Sequence, residues 1–274
     1  MRNPFAAALA VATALALSFL ILPIVAIFVD IPPGRLLDGM NDPAAVDALV
    51  VTLKTTLVAN VLILLIGTPA AYLIATRSFR AKPLLVTAVE LPLVLPPAVA
   101  GIGLLAAFGR FGLLGGALDF LGLTIPFTQV AVIFAVSFVA SPFYLRAAIS
   151  AFEAIDPALT GAARTLGAGP GRTFFRIALP LAAGGLGGGW ALAFARGIGE
   201  FGATIMFAGS LQGVTQTLSL AVYEQFNVDF DVALAIGAEL VVVSAAILLA
   251  VKLVPTWTRS VSASTTLSAR SASR

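Results

Sequence analysis

Long apolar stretches separated by short polar connections are the dominant pattern of this chain. A helix needs about 20 apolar residues to cross a hydrocarbon core of about 30 Å. The stretches that meet this length are 5–29, 49–75, 84–108, 127–149, 182–208 and 232–253. Their apolar runs are continuous, which is typical of membrane helices and not of the alternating strands of a membrane barrel. The pattern therefore predicts an all-α membrane protein with six transmembrane helices.

The composition agrees with a protein that is dissolved mainly in lipid. Hydrophobic residues make up 59% of the chain and charged residues 11%, and the mean hydropathy is +1.05. These values lie far outside the range of soluble domains. The first apolar stretch follows Arg2 as an export signal does, but it is longer than a signal core and has no small-residue cleavage site after it. We therefore expect it to remain as the first helix of the mature protein.

The distribution of Lys and Arg predicts the orientation, because positively charged loops are retained in the cytoplasm. Of the 16 Lys and Arg residues, only Arg35 and Arg110 lie in loops on one side, and Lys54 and Arg196 lie inside predicted helices. The loops and ends on the other side carry Arg2, Arg77, Arg80, Lys82, Arg146, Arg164, Arg172, Arg176, Lys252, Arg259, Arg270 and Arg274. Both termini are therefore predicted to be cytoplasmic.

Several classes of function are excluded by residues that the chain lacks. It contains neither Cys nor His, so disulfides, the usual zinc and iron sites and His-based catalysis are absent. An intramembrane hydrolase is a weak alternative, since we find no Ser–Lys arrangement that supplies a nucleophile and a base. The basic residues flank helices and do not form a face with interleaved aromatic residues, so we expect no nucleic-acid partner. We predict no catalytic residue, no metal and no cofactor in this chain.

The cytoplasmic connection 150–181 contains more local structure than a linker needs. Asp156 is suited to cap a helix N-terminus, and Pro157 is suited to its first position. The helix should continue to residue 166 and stop at Gly167, which can adopt the left-handed conformation. A helix of about ten residues is marginal alone in water, so it should dock on another surface. That surface is either the chain's own helical bundle or a second protein.

From Gly161 to Pro180 the chain resembles the cytoplasmic loop of importer permeases of the ATP-binding cassette (ABC) superfamily. That loop reads Glu-Ala-Ala, three residues, Gly, nine residues, Ile, one residue, Leu-Pro. The matching positions are Ala162, Ala163, Gly167, Ile177, Leu179 and Pro180. Gly161 departs from the pattern, because it stands where the family has Glu. The residues that the resemblance assigns to an ATPase-coupling loop are Asp156, Pro157, Gly161, Ala162, Ala163, Arg164, Gly167, Ile177, Leu179 and Pro180.

The resemblance implies the MetI-like bundle of type I importers, with a coupling helix that fits a cleft of a separate ATPase subunit. With it, the chain divides into a first helix with an external loop (1–47) and a permease domain (48–255). The remaining residues, 256–274, are rich in Ser, Thr and Ala, which predicts a solvated, poorly ordered cytoplasmic tail. ATP and Mg²⁺ would be bound by the partner. The run GAGPGRT at 167–173 differs from a phosphate-binding loop in spacing, has Arg172 in place of Lys, and follows no strand.

A second stretch indicates what is carried. Residues 199–204 read GEFGAT, which resembles the corresponding segment of molybdate permeases, as does the run that contains Gln216, Thr217 and Tyr223. Sulfate permeases are close relatives and usually differ around the Phe and Ala-Thr positions. The resemblance therefore implies import of molybdate or tungstate, with sulfate or thiosulfate as the alternative.

Charged residues inside the predicted helices are candidates for a pathway, since charge at membrane depth is costly. Arg196 and Glu200 are four residues apart and can neutralise each other on one helix face. Glu239 has no partner nearby in sequence and is either a pathway residue or a contact between helices. Phe201 and Thr204 of the GEFGAT stretch complete this candidate set. An ion-coupled transporter or channel, with Arg196, Glu200 and Glu239 as a relay, is the alternative from another class.

The glycine-rich part of the fifth stretch has two interpretations. Gly185, Gly189, Ala193 and Gly197 recur every fourth residue, which lets membrane helices pack closely. The alternative is direct contact with the transported substrate. For the assembly, the resemblance implies a homodimer in the plasma membrane of a prokaryote, with a cytoplasmic ABC ATPase and an extracytoplasmic molybdate-binding protein.

Overall fold

The structure, a computed structural model, describes the backbone of residues 4–271 and the side chains of residues 5–250. These residues form helices and turns and no strand, so the prediction of an all-α fold is confirmed. The tail predicted at 256–274 lies outside the residues whose side chains are described, and its solvated character stays a prediction. Prediction and structure can therefore be compared from the first helix to residue 250.

Thirteen helices and one π-helical turn follow one another along the described chain. They are α1 (Pro4–Val29), α2 (Pro33–Met40), α3 (Pro43–Thr76), α4 (Lys82–Val94), α5 (Pro97–Phe108), α6 (Gly115–Phe120), α7 (Gln129–Glu153), α8 (Pro157–Thr165), α9 (Pro170–Thr173), the π-helical turn Phe174–Ala178, α10 (Leu179–Ile198), α11 (Gly202–Ala208), α12 (Leu218–Gln225) and α13 (Phe230–Ser271).

Five helical segments are long and apolar enough to cross a membrane, and the bent pair α4 and α5 gives a sixth when its two helices are counted as one span. The five are Phe5–Val29, Pro43–Thr76, Gln129–Glu153, Pro170–Ile198 and Phe230–Ala250. The number and order of these spans agree with the six predicted from the sequence. Two of the predicted segments, however, are not single straight helices.

The segment predicted at 84–108 is broken between α4 and α5, which meet at an angle of 115°. Pro96 and Pro97 cause the break. A residue before proline is driven out of the helical region, and Leu95 and Pro96 both precede a proline. Their ψ angles are 130° and 133°, so the chain is extended there. The segment 84–108 therefore contains two helices, because two adjacent prolines place two extended residues in succession.

The segment predicted at 182–208 also ends early. The helical run begins at Pro170, passes through the π-helical turn and stops at Ile198, and α11 starts again at Gly202. The Glu200 carboxylate causes the restart, because its Oε1 accepts a hydrogen bond from the Ala203 backbone N–H at 2.8 Å. A side chain that satisfies a free amide at a helix start stabilises that start.

Helices α3, α7 and α10 pack together at the centre of the bundle. A Cβ atom at Gly185 would lie 2.5 Å from the Cβ of Ala151, and one at Gly189 would lie 2.7 Å from the Cβ of Ala147. Both alanines belong to α7. Gly185 and Gly189 therefore let α10 pack closely against α7, which agrees with helix packing as the role of these two glycines.

Ion pairs join residues that were predicted to lie on the same side of the membrane. Lys82 binds Glu153 at 2.9 Å on the cytoplasmic side. On the other side, Arg35 pairs with Asp231, and the Arg110 Nε lies 3.7 Å from the Asp119 carboxylate. The folded chain therefore keeps its predicted cytoplasmic and external residues apart.

A buried hydrogen bond fixes the start of α12 against α3. The Thr52 hydroxyl donates to the Ala48 carbonyl at 2.7 Å and accepts from the Leu218 backbone N–H at 2.8 Å. An amide at a helix start has no partner within its own helix. Thr52 therefore supplies a partner that α12 lacks.

Replacing Thr52 with Val should destabilise the chain, because the shape is kept while the Leu218 N–H loses its acceptor. A buried donor without a partner costs about 1–3 kcal/mol. Thr55→Val is the matched control, since the Thr55 hydroxyl bonds only to carbonyls of its own helix. Unfolding in detergent micelles followed by circular dichroism measures both. Equal losses for the two variants would contradict the role of Thr52.

Candidate functional site

The loop between α7 and α10 folds locally as its capping residues require. The Asp156 Oδ1 accepts a hydrogen bond from the Ala158 backbone N–H at 2.8 Å, and α8 begins at Pro157. The helix ends at Thr165, and Gly167 follows with a φ of +81°. That left-handed conformation is the one for which glycine is favoured at a helix end. The predicted short helix is therefore present, with both of its end signals in use.

Helix α8 presents an apolar face that the rest of the described chain does not cover. Leu159, Ala162 and Leu166 are exposed at positions three and four residues apart, and Leu166 is 87% exposed. Ala163, four residues after Leu159, is buried and borders these exposed positions. Side chains at this spacing share one face of a helix. The face is small and apolar, so it is suited to close contact with a second protein.

A cavity of about 370 Å³ lies between α8 and the cytoplasmic ends of α3 and α7. Tyr72, Glu153, Thr160, Gly161 and Arg164 contribute to its lining. A Cβ atom at Gly161 would meet nothing within 4 Å. Because Gly161 replaces the Glu of the family pattern, no side chain from this position fills the cavity.

Three aromatic rings hold the end of the loop against the bundle, and we call Tyr72, Phe152 and Phe174 the aromatic cluster. The Tyr72 ring lies 5.3 Å from that of Phe152 and 4.8 Å from that of Phe174, measured between centroids. The rings of Phe152 and Phe174 are 6.3 Å apart. These residues come from α3, α7 and the π-helical turn. The aromatic cluster therefore joins the loop to two spanning helices at once.

The remaining loop positions of the pattern lie where the chain enters α10. Ile177 and Leu179 are half-buried, and Ala178 between them is fully buried. Pro180 is exposed in the first turn of α10. The structure thus places the Ala-Ala part of the pattern on α8 and the Ile-x-Leu-Pro part at the root of a spanning helix.

Arg196 and Glu200 form the ion pair that their spacing predicts. The Arg196 Nη2 lies 2.7 Å from the Glu200 Oε2, and the other carboxylate oxygen caps α11 through Ala203. The Glu200 side chain is 1% exposed and that of Arg196 is 29% exposed. One carboxylate therefore fixes the guanidinium and the break between α10 and α11 together.

The position of Gly197 shows how deep this pair lies. A Cβ atom at Gly197 would be 2.9 Å from a methyl group of Val136, 3.6 Å from the Thr56 methyl group and 3.7 Å from the Cβ of Ala140. Val136 and Ala140 belong to the central part of α7, and Thr56 to the outer half of α3. The neighbouring Arg196, in the last turn of α10, therefore lies level with residues 136–140 of α7.

The other candidate pathway residues are not brought into this ion pair. The Phe201 ring packs on the Tyr223 ring at 5.0 Å, and the Thr204 hydroxyl is buried without a hydrogen-bond partner in the described chain. Glu239 is also buried on α13, and its Oε2 lacks a partner among the described residues. The structure shows no bond from Glu239 to Arg196 within residues 5–250.

Two features of this region were not found from the sequence. The aromatic cluster was missed because its three residues lie in different segments, each of which contains other aromatic residues. The contact of Thr52 with Leu218 was missed because threonine is common in membrane helices and bonds within its own helix. Neither feature has a local pattern.

Comparison with known proteins identifies the bundle. The family described as the binding-protein-dependent transport system inner membrane component matches residues 63–259. The chain belongs to this family. It is therefore a transporter subunit and not an enzyme, and its family works with a substrate-binding protein and an ABC ATPase. The prediction of an ABC permease from the loop pattern is confirmed.

One relative and two solved structures illustrate the match. The permease is 42% identical to the molybdenum transport system permease protein ModB of Mycobacterium bovis. The aligned part includes 85% of the permease and 88% of that relative. The first structure is a chain of a bacterial alginate ABC transporter solved with an alginate-bound periplasmic protein. The match includes 91% of the permease and 93% of that chain, with 20% identity and a TM-score of 0.69. The second structure is a chain of the MetNI methionine ABC transporter. The match includes 76% of the permease and 93% of that chain, with 22% identity and a TM-score of 0.60. The two structures show that the permease has the type I importer fold.

Removing the Tyr72 ring should loosen the loop of the permease, because Tyr72 makes two of the three ring contacts. Each such contact adds about 0.5–1.5 kcal/mol, so Tyr72→Ala should raise tryptic cleavage at Arg172 and Arg176 about tenfold. Tyr72→Phe keeps both contacts and should cleave like the parent chain. Timed digestion with mass spectrometry measures the rates, and equal rates for the two variants would show that the rings do not hold the loop.

Proposed function

We propose that this permease carries a tetrahedral oxyanion, molybdate, through the plasma membrane of a prokaryote. The observation that carries the choice of ion is the likeness to the molybdenum permease, which extends over 85% of this chain and 88% of the relative. The GEFGAT segment lies within the matched part of the chain and forms the break between α10 and α11. Tungstate has the same shape and charge and belongs to the same proposal.

The proposed assembly has two copies of this chain, two ATPase subunits on the cytoplasmic side and an oxyanion-binding protein outside. ATP and Mg²⁺ are bound by the ATPase subunits, and this chain holds no cofactor. The uncovered apolar face of α8 supports docking of an ATPase on the cytoplasmic side. The division into 1–47, 48–255 and 256–274 belongs to the same proposal.

The proposed mechanism starts at α8. When the ATPase subunits close on ATP, they move the docked α8 of each copy. The π-helical turn and the aromatic cluster connect that movement to α3, α7 and α10. Because these three helices form the centre of the bundle, they open towards the binding protein together. The coupling residues in this scheme are those of the loop pattern, from Asp156 to Pro180.

Reconstitution tests this proposal. Liposomes that contain the permease and its ATPase should accumulate ⁹⁹Mo-labelled molybdate only when ATP is inside and the binding protein is outside. Unlabelled sulfate in excess should compete poorly. Uptake by the permease alone would contradict an ATP-driven importer, and sulfate that displaces molybdate efficiently would transfer the substrate assignment to sulfate.

Gly167→Val should uncouple ATP hydrolysis from uptake, because a β-branched residue is strained at a φ of +81°. The left-handed conformation costs a side chain about 1–2 kcal/mol, so the end of α8 should shift. Gly122→Val is the control, since Gly122 has a similar φ of +67° with open space around it but lies outside this loop.

The measurement is the number of molybdate ions taken up per ATP hydrolysed. We expect a several-fold fall for Gly167→Val and no fall for Gly122→Val, with the ATPase bound to both variants. An unchanged ratio for Gly167→Val would show that the geometry of this loop does not transmit the movement.

A further inference from the structure

One face of α10 is left open by the rest of the described chain. Gly184, Gly188, Leu192 and Arg196 follow one another at intervals of four residues, so they share that face. A Cβ atom at either glycine would meet nothing within 4 Å, and Leu192 is 57% exposed. Arg196 forms the outer end of this face, 29% exposed at a depth where the other neighbours of α10 are apolar.

Arg196 has more hydrogen-bonding capacity than the chain uses. A guanidinium carries five N–H donors, and within residues 5–250 its polar contact is with the Glu200 carboxylate. Unused donors at membrane depth are costly against lipid. The open face of α10 therefore meets water or a second copy of the chain, and Arg196 lies at its outer end.

Glu200 makes Arg196 suitable for brief binding. Its carboxylate is held by the Ala203 N–H as well as by Arg196, so it stays in place when another anion approaches. The fixed negative charge offsets part of the guanidinium charge and weakens the attraction to a passing anion. A conducting site must bind well enough to admit its ion and weakly enough to release it.

We propose that Arg196 binds the tetrahedral oxyanion during its passage, together with Arg196 of the partner subunit. This inference rests on the proposed function. The planar guanidinium presents two parallel N–H groups that match two oxygens of an oxyanion. Two such groups across the dimer axis would share the four oxygens of one ion. The pathway thus contains a transient oxyanion site with Glu200 as its fixed counter-charge.

The double variant R196Q/E200Q separates oxyanion binding from a purely structural ion pair. It removes both charges, keeps similar shapes, and leaves a Gln oxygen to accept from the Ala203 N–H. In the complete complex in liposomes, uptake per ATP hydrolysed should fall about tenfold or more, the loss expected for one charge-assisted hydrogen bond. Hydrolysis stimulated by the binding protein should persist. Uptake equal to that of the parent complex would overturn the proposal.

A chemical rescue tests the charge directly, because the chain has no native Cys. R196C/E200Q is treated with a cationic or a neutral methanethiosulfonate of similar size. The cationic adduct should restore part of the uptake, and the neutral adduct should not. With L192C as the control on the same face, both adducts should give the same uptake. Equal uptake for the two adducts at position 196 would contradict the site.

The two proposals fail in different ways. If the proposed function is wrong, the unaltered complex takes up no oxyanion. If only the Arg196 site is wrong, the unaltered complex works and R196Q/E200Q works equally well. Sulfate and molybdate assayed in parallel show whether the loss in R196Q/E200Q applies to tetrahedral oxyanions in general.

Discussion

The contact of three aromatic rings on the cytoplasmic face is the interaction on which the account of this permease depends. Tyr72, Phe152 and Phe174 come from two spanning helices and from the turn that follows the loop. Their mutual contacts add on the order of a few kcal/mol to the burial of the rings. That is enough to keep the loop and the bundle in one position relative to each other. Without the aromatic cluster, α8 could move with the ATPase while the spanning helices kept their positions.

The membrane imposes a second constraint, because backbone polar groups in lipid must be satisfied within the protein. Two spans of this chain are broken, and each break has a specific cause. Pro96 and Pro97 lack the N–H groups that a break would otherwise leave unpaired. At the other break, Glu200 supplies an acceptor for α11 and is itself paired with Arg196. The same carboxylate thus completes the fold and sets the charge of the proposed pathway.

Much of the fold could be predicted from the sequence, since apolar length decides which segments span a membrane. The short helix was also predictable, because Asp156, Pro157 and Gly167 act through local backbone chemistry. The size of the 115° bend was not, because a proline indicates where a helix can bend and not by how much, and Pro69 lies within a continuous helix. The aromatic cluster and the burial of Glu239 depend on which helices meet, and no spacing in the sequence encodes that.

The central claim is that α8 is the element through which an ATPase moves the bundle. Because the chain has no native Cys, A162C places a single thiol on the exposed face of α8. Crosslinking with a short thiol-to-amine reagent in the complete complex measures its neighbour. We expect one major product with the ATPase subunit, whose yield changes when ATP is bound. Products confined to the permease itself or to lipid would contradict it.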